Sequence, residues 1–404
     1  MMDYFKIPSP CYVLEKELLE HNLEILDSVQ KASGAKILLA LKGFAFWRSF
    51  ELARKYLSGT TASGINEAML GFEEFGGREI DKDICVFSPA YKEEEIDALL
   101  PIATHIIFNS FYQWQKFKAK IADKNLQLEK LGLKKIEVGL RVNPLYSEVQ
   151  PEIYNPCIKG SRLGITPSEF KNGVEMYGLD GIDGIHFHTH CEQNADALKR
   201  TLEHFIQHFG DFVTQMQWVN FGGGHHITRK DYNLGLLNSI IIDFKSQFND
   251  IEVFLEPGEA VGWECGFLIG EVIDIVYNGM FIAILDVSAS AHMPDCLEMP
   301  YRPRVRKISQ HTKEIQCDLG ENAGKYSYRF GGPTCLAGDV IGDYSFDTPL
   351  QIGDRVIFED MIHYTIVKNT TFNGIPLPSL GMIDKEDFKV LKTFNYLDYK
   401  NRNG

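Results

Sequence analysis

The sequence predicts an α/β chain: a TIM (β/α)8 barrel followed by a C-terminal all-β domain. Three observations carry that expectation. Eight short apolar strand candidates succeed one another over about 230 residues, most of them separated by amphipathic helical segments, which is the rhythm of a barrel. After Gly270 the texture changes to short β-branched and aromatic segments, such as "YSYRFGG" and "DRVIFED", punctuated by Gly, Asp and Asn. The residues best suited to chemistry fall at the C-terminal ends of the strand candidates, where barrels keep their sites.

In chain order, "DYFKIPSPCYVL" reads as strand-like and is expected to complete the sheet of the later domain. Residues 15–33 form a helix pattern, with Leu19, Leu23 and Leu26 on one face and Gly34 as its stop. Barrel strands are expected to start near Ile37, Gly59, Ile84, His105, Ile136, Ile182, Trp218 and Glu252. Helical segments fall between most of them, at 65–75, 92–100, 110–130, 194–209 and 236–249. The expected domains are a barrel over 35–270 and a β domain built from 1–34 and 271–404.

Composition narrows the function. The 404 residues carry a formal net charge of −14, which disfavours nucleic acid and anionic membranes and suits cationic partners. "MMDYFKIPSP" lacks the charged-then-apolar pattern of a secretory signal, and no apolar run is long enough to span a bilayer. The eight cysteines are scattered with no CxxC, which reads as reduced thiols of a cytoplasmic protein.

The strand ends supply the candidate chemistry. Lys42 follows four apolar residues in "LLALKGF"; a desolvated lysine amine is a good carbonyl nucleophile, although a lysine can also snorkel from such a place. Gly222, Gly223 and Gly224 in "FGGGHH" offer consecutive N–H groups after a strand, a phosphate cradle or merely a flexible turn. "HFHTHCE" is expected to put His186, His188 and His190 on one face of a strand, so a metal-dependent hydrolase is a rival reading. "FLEPGEAVGW" sets Glu256 and Glu259 around a Pro-Gly turn at a buried strand's end, where two carboxylates need partners.

Taken in order, Lys42, His188, Gly222–Gly224, the E-P-G of 256–258, "GPTC" at 332–335 and Tyr364 in "HYT" resemble the fold-type III pyridoxal-phosphate decarboxylases. That family shares the alanine racemase-like architecture and includes ornithine, diaminopimelate and carboxynorspermidine decarboxylases. The resemblance runs from about residue 8 to about 380 and implies pyridoxal 5'-phosphate, a homodimer and active sites shared between subunits. It implies that Lys42 binds the cofactor covalently and that His188 stacks on its ring. Arg141 would lie beneath the ring, and Gly222, Gly223, Gly224, Gly258 and Tyr364 would hold its phosphate. Glu256 would face the pyridine nitrogen, and Cys335 would act from the neighbouring subunit. Many relatives read E-P-G-R where this chain has Glu259, so an anion clamp becomes a cation clamp and the phosphate loses one contact. Asp295, in a segment resembling the carboxynorspermidine branch, joins Glu259 as a substrate-binding residue. The implied reaction is CO2 release from a cationic polyamine amino acid, with diaminopimelate decarboxylation as the alternative. No resident metal is expected.

Overall fold

The computed structural model describes residues 2–404, which divide into two compact units: Asn22–Val261, and the segment up to His21 together with Gly262–Gly404. The first unit is a closed barrel of eight parallel strands. Numbering from β1 (Cys11–Glu15), which belongs to the second unit, the barrel comprises β2 (Lys36–Ala40), β3 (Gly59–Ala62), β4 (Asp83–Phe87) and β5 (His105–Phe108). It continues through β6 (Glu137–Arg141), β7 (Gly184–His186), β8 (Trp218–Asn220) and β9 (Glu252–Leu255). The ring closes where Lys36 and Ile37 lie opposite Phe254 and Leu255. All eight expected strands are present.

The barrel is plugged by side chains, as the buried runs of its strands require. Trp218 packs with Leu38, Cys85, Ile107 and Phe254. Its ring takes up room that only glycine leaves: a Cβ on Gly139 or Gly184 would come within 2.4 or 2.1 Å of it. His105, wedged against Trp218 and Phe254, is fully enclosed, and burial pushes its pKa down to about 4.

The second unit is a mixed sheet in the order β13-β12-β16-β10-β1-β17-β18. Its strands are β10 (Gly266–Tyr277), β11 (Phe281–Leu285), β12 (Val305–Ile308), β13 (Ile315–Cys317), β14 (Tyr326–Gly331), β15 (Val340–Phe346), β16 (Arg355–Glu359), β17 (Ser379–Asp384) and β18 (Asp387–Lys392). β11, β14 and β15 extend the sheet from β10. β1 lies between β10, antiparallel, and β17, parallel, and buries Cys11 and Val13 against Phe267, Ile269 and Ile357.

The unit boundaries differ from those expected. Helix Lys16–Ser33 straddles the first, so 22–34 go with the barrel. The segment 262–270 goes with the sheet, because β10 begins at Gly266 and pairs with β1. β7 also stops at His186, so His188 and His190 lie in the loop beyond it and not on one strand face. No helix among the described residues is long and apolar enough to cross a membrane.

Candidate active site

Six strand ends of the barrel converge on one cavity, whose wall includes Lys42, Ser63, Phe87, Arg141, His186, His188 and Glu256. Lys42 lies in the turn after β2, which is held by Gly43 N–H donating to the Ala40 carbonyl (3.0 Å) and by Ala40 N–H donating to that of Pro257 (3.1 Å). The turns approach so closely that a Cβ on Gly43 would come within 3.0 Å of Gly258 Cα. Lys42 is half-buried, and its pKa is lowered first by burial and then by the Arg141 charge, with Glu256 opposing. The amine is thereby eased toward its neutral, nucleophilic form.

Glu256 is 7% exposed. Burial opposes its charge, but His186 (Nε2 to Oε2, 3.4 Å), Asn220 (Nδ2 donating to Oε1, 2.8 Å) and Thr61 prevail and hold its pKa down to about 2. It is therefore a fixed anion at the base of the cavity. Arg141, at the end of β6, packs its guanidinium over the Phe87 ring at 4.5 Å and donates through Nη2 to the His188 carbonyl at 3.3 Å. Burial pushes its pKa down to about 10, still charged at neutral pH.

His188 Nδ1 accepts the Gly223 N–H at 2.8 Å, which leaves its proton on Nε2 and fixes the ring plane. Burial, followed by the Lys42 and Arg141 charges, keeps it neutral. The same bond corrects the expectation of a row of free donors in the glycine triplet. Gly223 N–H is taken by His188, and Gly222 N–H donates to Asn220 Oδ1 at 2.8 Å. The triplet's glycines answer instead to close approach: a Cβ on Gly223 would come within 2.3 Å of the Glu256 carbonyl, and one on Gly224 within 2.0 Å of that of His190.

The three histidines do not form a metal site. His186 faces Glu256, His188 faces Gly223, and His190 Nδ1 pairs with Gln193 Oε1 at 2.7 Å. Among the described residues the one trio placed to share an ion is Glu192, His226 and Glu259.

The remaining expected residues belong to the sheet unit. Tyr364, half-buried, opens the helix Tyr364–Lys368. Lys368 of that helix donates to Asp295 and to Glu298, so Asp295 already has a cation. Cys335 is exposed, and its N–H donates to Asn373 Oδ1 at 2.8 Å. The loop carrying it is anchored on buried Asp339, which accepts from Ser288 Oγ (2.9 Å), Ser290 N–H (3.2 Å) and both Thr334 donors.

Residues 11–362 match the family of pyridoxal-dependent decarboxylases, described by its C-terminal sheet domain. The chain belongs to the pyridoxal-dependent decarboxylases. Its relatives include the carboxynorspermidine/carboxyspermidine decarboxylase of Campylobacter jejuni, 46% identical over the full length of both chains. Another is the carboxyaminopropylagmatine decarboxylase of Synechocystis, 42% identical over 98% of this chain and 96% of that one. The solved structure of carboxynorspermidine decarboxylase from Campylobacter jejuni complexed with norspermidine superposes with a TM-score of 0.84 at 45% identity, over 98% of this chain and all of that one. Diaminopimelate decarboxylase from Helicobacter pylori, at 16% identity and a TM-score of 0.79 over 99% of this chain and 98% of that one, shares the fold.

This pyridoxal-dependent decarboxylase has a donor set that fits its cofactor: an amine of lowered pKa, an ionised buried carboxylate, an imidazole of fixed tautomer and backbone turns too close for any side chain. Sequence reasoning missed two members. Asn220 binds both Glu256 and the Gly222 N–H, and the signal was its place two residues before the glycines in "VNFGGG". His186, weighed only as a metal ligand, is the companion of Glu256.

Proposed function

We propose that this decarboxylase releases CO2 from carboxynorspermidine or carboxyspermidine, giving norspermidine or spermidine. The observation that carries the reading is Glu259, a carboxylate three residues beyond the fixed anion Glu256, where a relative recognising an anion carries arginine. Full-length identity to an enzyme named for these substrates supports it.

Pyridoxal phosphate, when bound, supplies an electron-poor ring that accepts the electron pair freed as the carboxylate leaves. The chain's own groups do the rest. Lys42, its pKa lowered by burial, would be the amine that holds the cofactor covalently. Glu256, ionised and enclosed, would keep a proton on the ring nitrogen, an interaction that would strengthen as negative charge develops. His188, its ring fixed by the Gly223 N–H, would pack against the cofactor ring, and Arg141, its guanidinium held by Phe87 and the His188 carbonyl, would contribute a fixed positive charge beside it. Gly224 and Gly258 remain for the phosphate, with Gly222 and Gly223 shaping the turn. Tyr364, Cys335 and Asp295 enter the reading through the resemblance: a hydroxyl to the phosphate, a proton donor from the partner in a homodimer, and a second carboxylate for the substrate chain. An ammonium reaching Asp295 has to displace Lys368. The eight free thiols suit a reducing, cytoplasmic setting.

The test is a CO2-release assay with carboxynorspermidine, carboxyspermidine, carboxyaminopropylagmatine, diaminopimelate and ornithine. The two carboxylated triamines should be preferred; a higher kcat/KM for diaminopimelate refutes the assignment.

A further inference from the structure

Three loops at the C-terminal mouth of the barrel are tied together. The loop after β7 joins the loop after β8 through Gln193 N–H donating to the Gly224 carbonyl (3.0 Å) and His226 N–H to that of Gln193 (3.2 Å). Arg229 Nη1 adds a bond to the Glu192 carbonyl at 3.2 Å. The β8 loop is tied in turn to the turn after β9 by Thr228 Oγ1 donating to the Ala260 carbonyl at 2.6 Å. These bonds bring one ligand atom each from Glu192, His226 and Glu259 within 4.8 Å of one another. His226 is buried, Glu259 half-buried and Glu192 exposed, so the trio opens outward from an imidazole floor. Glu192 holds φ +56°, a left-handed conformation that glutamate seldom adopts.

We infer that Glu192 is a substrate-specificity residue, forming with Glu259, above His226, a two-carboxylate receptor for a charged amine of the substrate chain. This rests on the substrate reading above, which requires such a receptor and assigns one half of it to Glu259. The three loops are those that carry His188, Gly224 and Glu256, so Glu192 lies four residues beyond His188 and Glu259 three beyond Glu256; beside them the Cys191 thiol has its pKa raised to about 11, first by burial and then by Glu192 and Glu259, with Lys42 opposing. An ammonium or guanidinium N–H donor lies about 2.8 Å from each oxygen it binds, which suits this spacing. A first-row metal at about 2.0–2.2 Å would have to draw the three groups closer.

The experiment is calorimetric titration of the cofactor-loaded enzyme with norspermidine, which keeps every amine of the carboxylated substrate. Glu192→Gln should weaken binding roughly ten- to a hundredfold, the loss of one charge-assisted hydrogen bond, with cofactor absorbance unchanged. Glu192→Asn provides the second variant, since asparagine tolerates the left-handed backbone, and should weaken binding as much. Variants that bind norspermidine within twofold of the wild type overturn the inference while the substrate reading stands. A wild type that neither binds norspermidine nor decarboxylates carboxynorspermidine overturns that reading as well. Tight binding of zinc alone, lost in Glu192→Gln while norspermidine binding is retained, makes the trio a metal site and also overturns the inference.

Discussion

Glu256→Gln isolates the charge at the base of the cavity. The side chain is almost isosteric, so packing is preserved, but the anion that Asn220, His186 and Thr61 hold at a pKa of about 2 becomes a neutral amide. Hydrogen bonds to charged groups contribute about 1.5–3 kcal/mol, against about 0.5–1.5 for neutral ones. If the stronger interaction is realised mainly as CO2 departs, a deficit of about 1–1.5 kcal/mol lowers kcat roughly five- to thirteenfold, with KM changed less than about threefold. Steady-state kinetics on carboxynorspermidine, with cofactor absorbance recorded in parallel, measure this directly. A kcat within twofold of the wild type, at full cofactor occupancy, refutes the assignment of Glu256 to the ring nitrogen. The variant has a second signature. Because the folded pKa is depressed, Glu256 contributes stability above its ordinary value of 4.5 that is lost as pH falls toward about 2, and the glutamine variant should lack that acid-side dependence.

Lys42→Ala should abolish turnover, and borohydride reduction of the wild type followed by peptide mass spectrometry should find the phosphopyridoxyl group on Lys42; its recovery on another lysine moves the site. Gly223→Ala should lower the melting temperature by a few degrees, as overpacking of about 1–3 kcal/mol implies, and weaken cofactor retention, because its Cβ would stand 2.3 Å from the Glu256 carbonyl and 3.2 Å from His188 Cε1. Mixing inactive Lys42→Ala and Cys335→Ala subunits should restore some activity if the site is shared; no recovery after proven exchange excludes it. Burial pushes His105, His190 and His292 down to about 4 and His225 to about 3. The unfolded chain therefore takes up protons first, and stability should fall as pH drops from about 6.5 toward 4, by up to roughly 1.4 kcal/mol per pH unit for each histidine. Denaturant midpoints at pH 7.5, 6 and 5 measure the slope, and a flat profile refutes it.

The barrel was legible because each of its strands is an uninterrupted buried run, and a run such as "ILLAL" can be satisfied only with both faces covered. Lys42, Arg141 and Glu256 were legible for the same reason, as charges placed where those runs stop. What the sequence hides is where a strand ends within a run. "GIHFHTH" alternates like a strand to His190, yet β7 ends at His186, and beyond it the His188 ring turns to accept the Gly223 N–H of the glycine turn. The unit boundary was hidden because one amphipathic helix, Lys16–Ser33, serves both units. Partners distant in sequence were equally invisible. Lys368 neutralises Asp295 from 73 positions away, and nothing in "HMPDCLEMP" announces it. The three loops that gather Glu192, His226 and Glu259 are joined by backbone bonds, which leave no residue pattern.

The charges around the barrel mouth restrict the substrate more tightly than any single residue does. Lys42 and Arg141 supply the cations. Against them stand Glu256, Glu192 and Glu259, with Glu67, whose Oε2 accepts the Ser63 N–H at 2.6 Å and whose pKa burial raises even though Lys42 opposes. The cofactor's phosphate would add close to two further negative charges, against the single positive charge of the proton that Glu256 would keep on the ring nitrogen. The loaded site is thus strongly anionic before any substrate arrives. Diaminopimelate, with two ammonium groups and two carboxylates, brings no net charge to relieve this. A carboxylated triamine brings three ammonium groups and one carboxylate, and so offsets two of the excess negative charges. Glutamate at 259 is therefore coherent with a polyamine substrate on two counts: it supplies a partner for a distal amine, and it penalises any substrate too poor in positive charge to balance it.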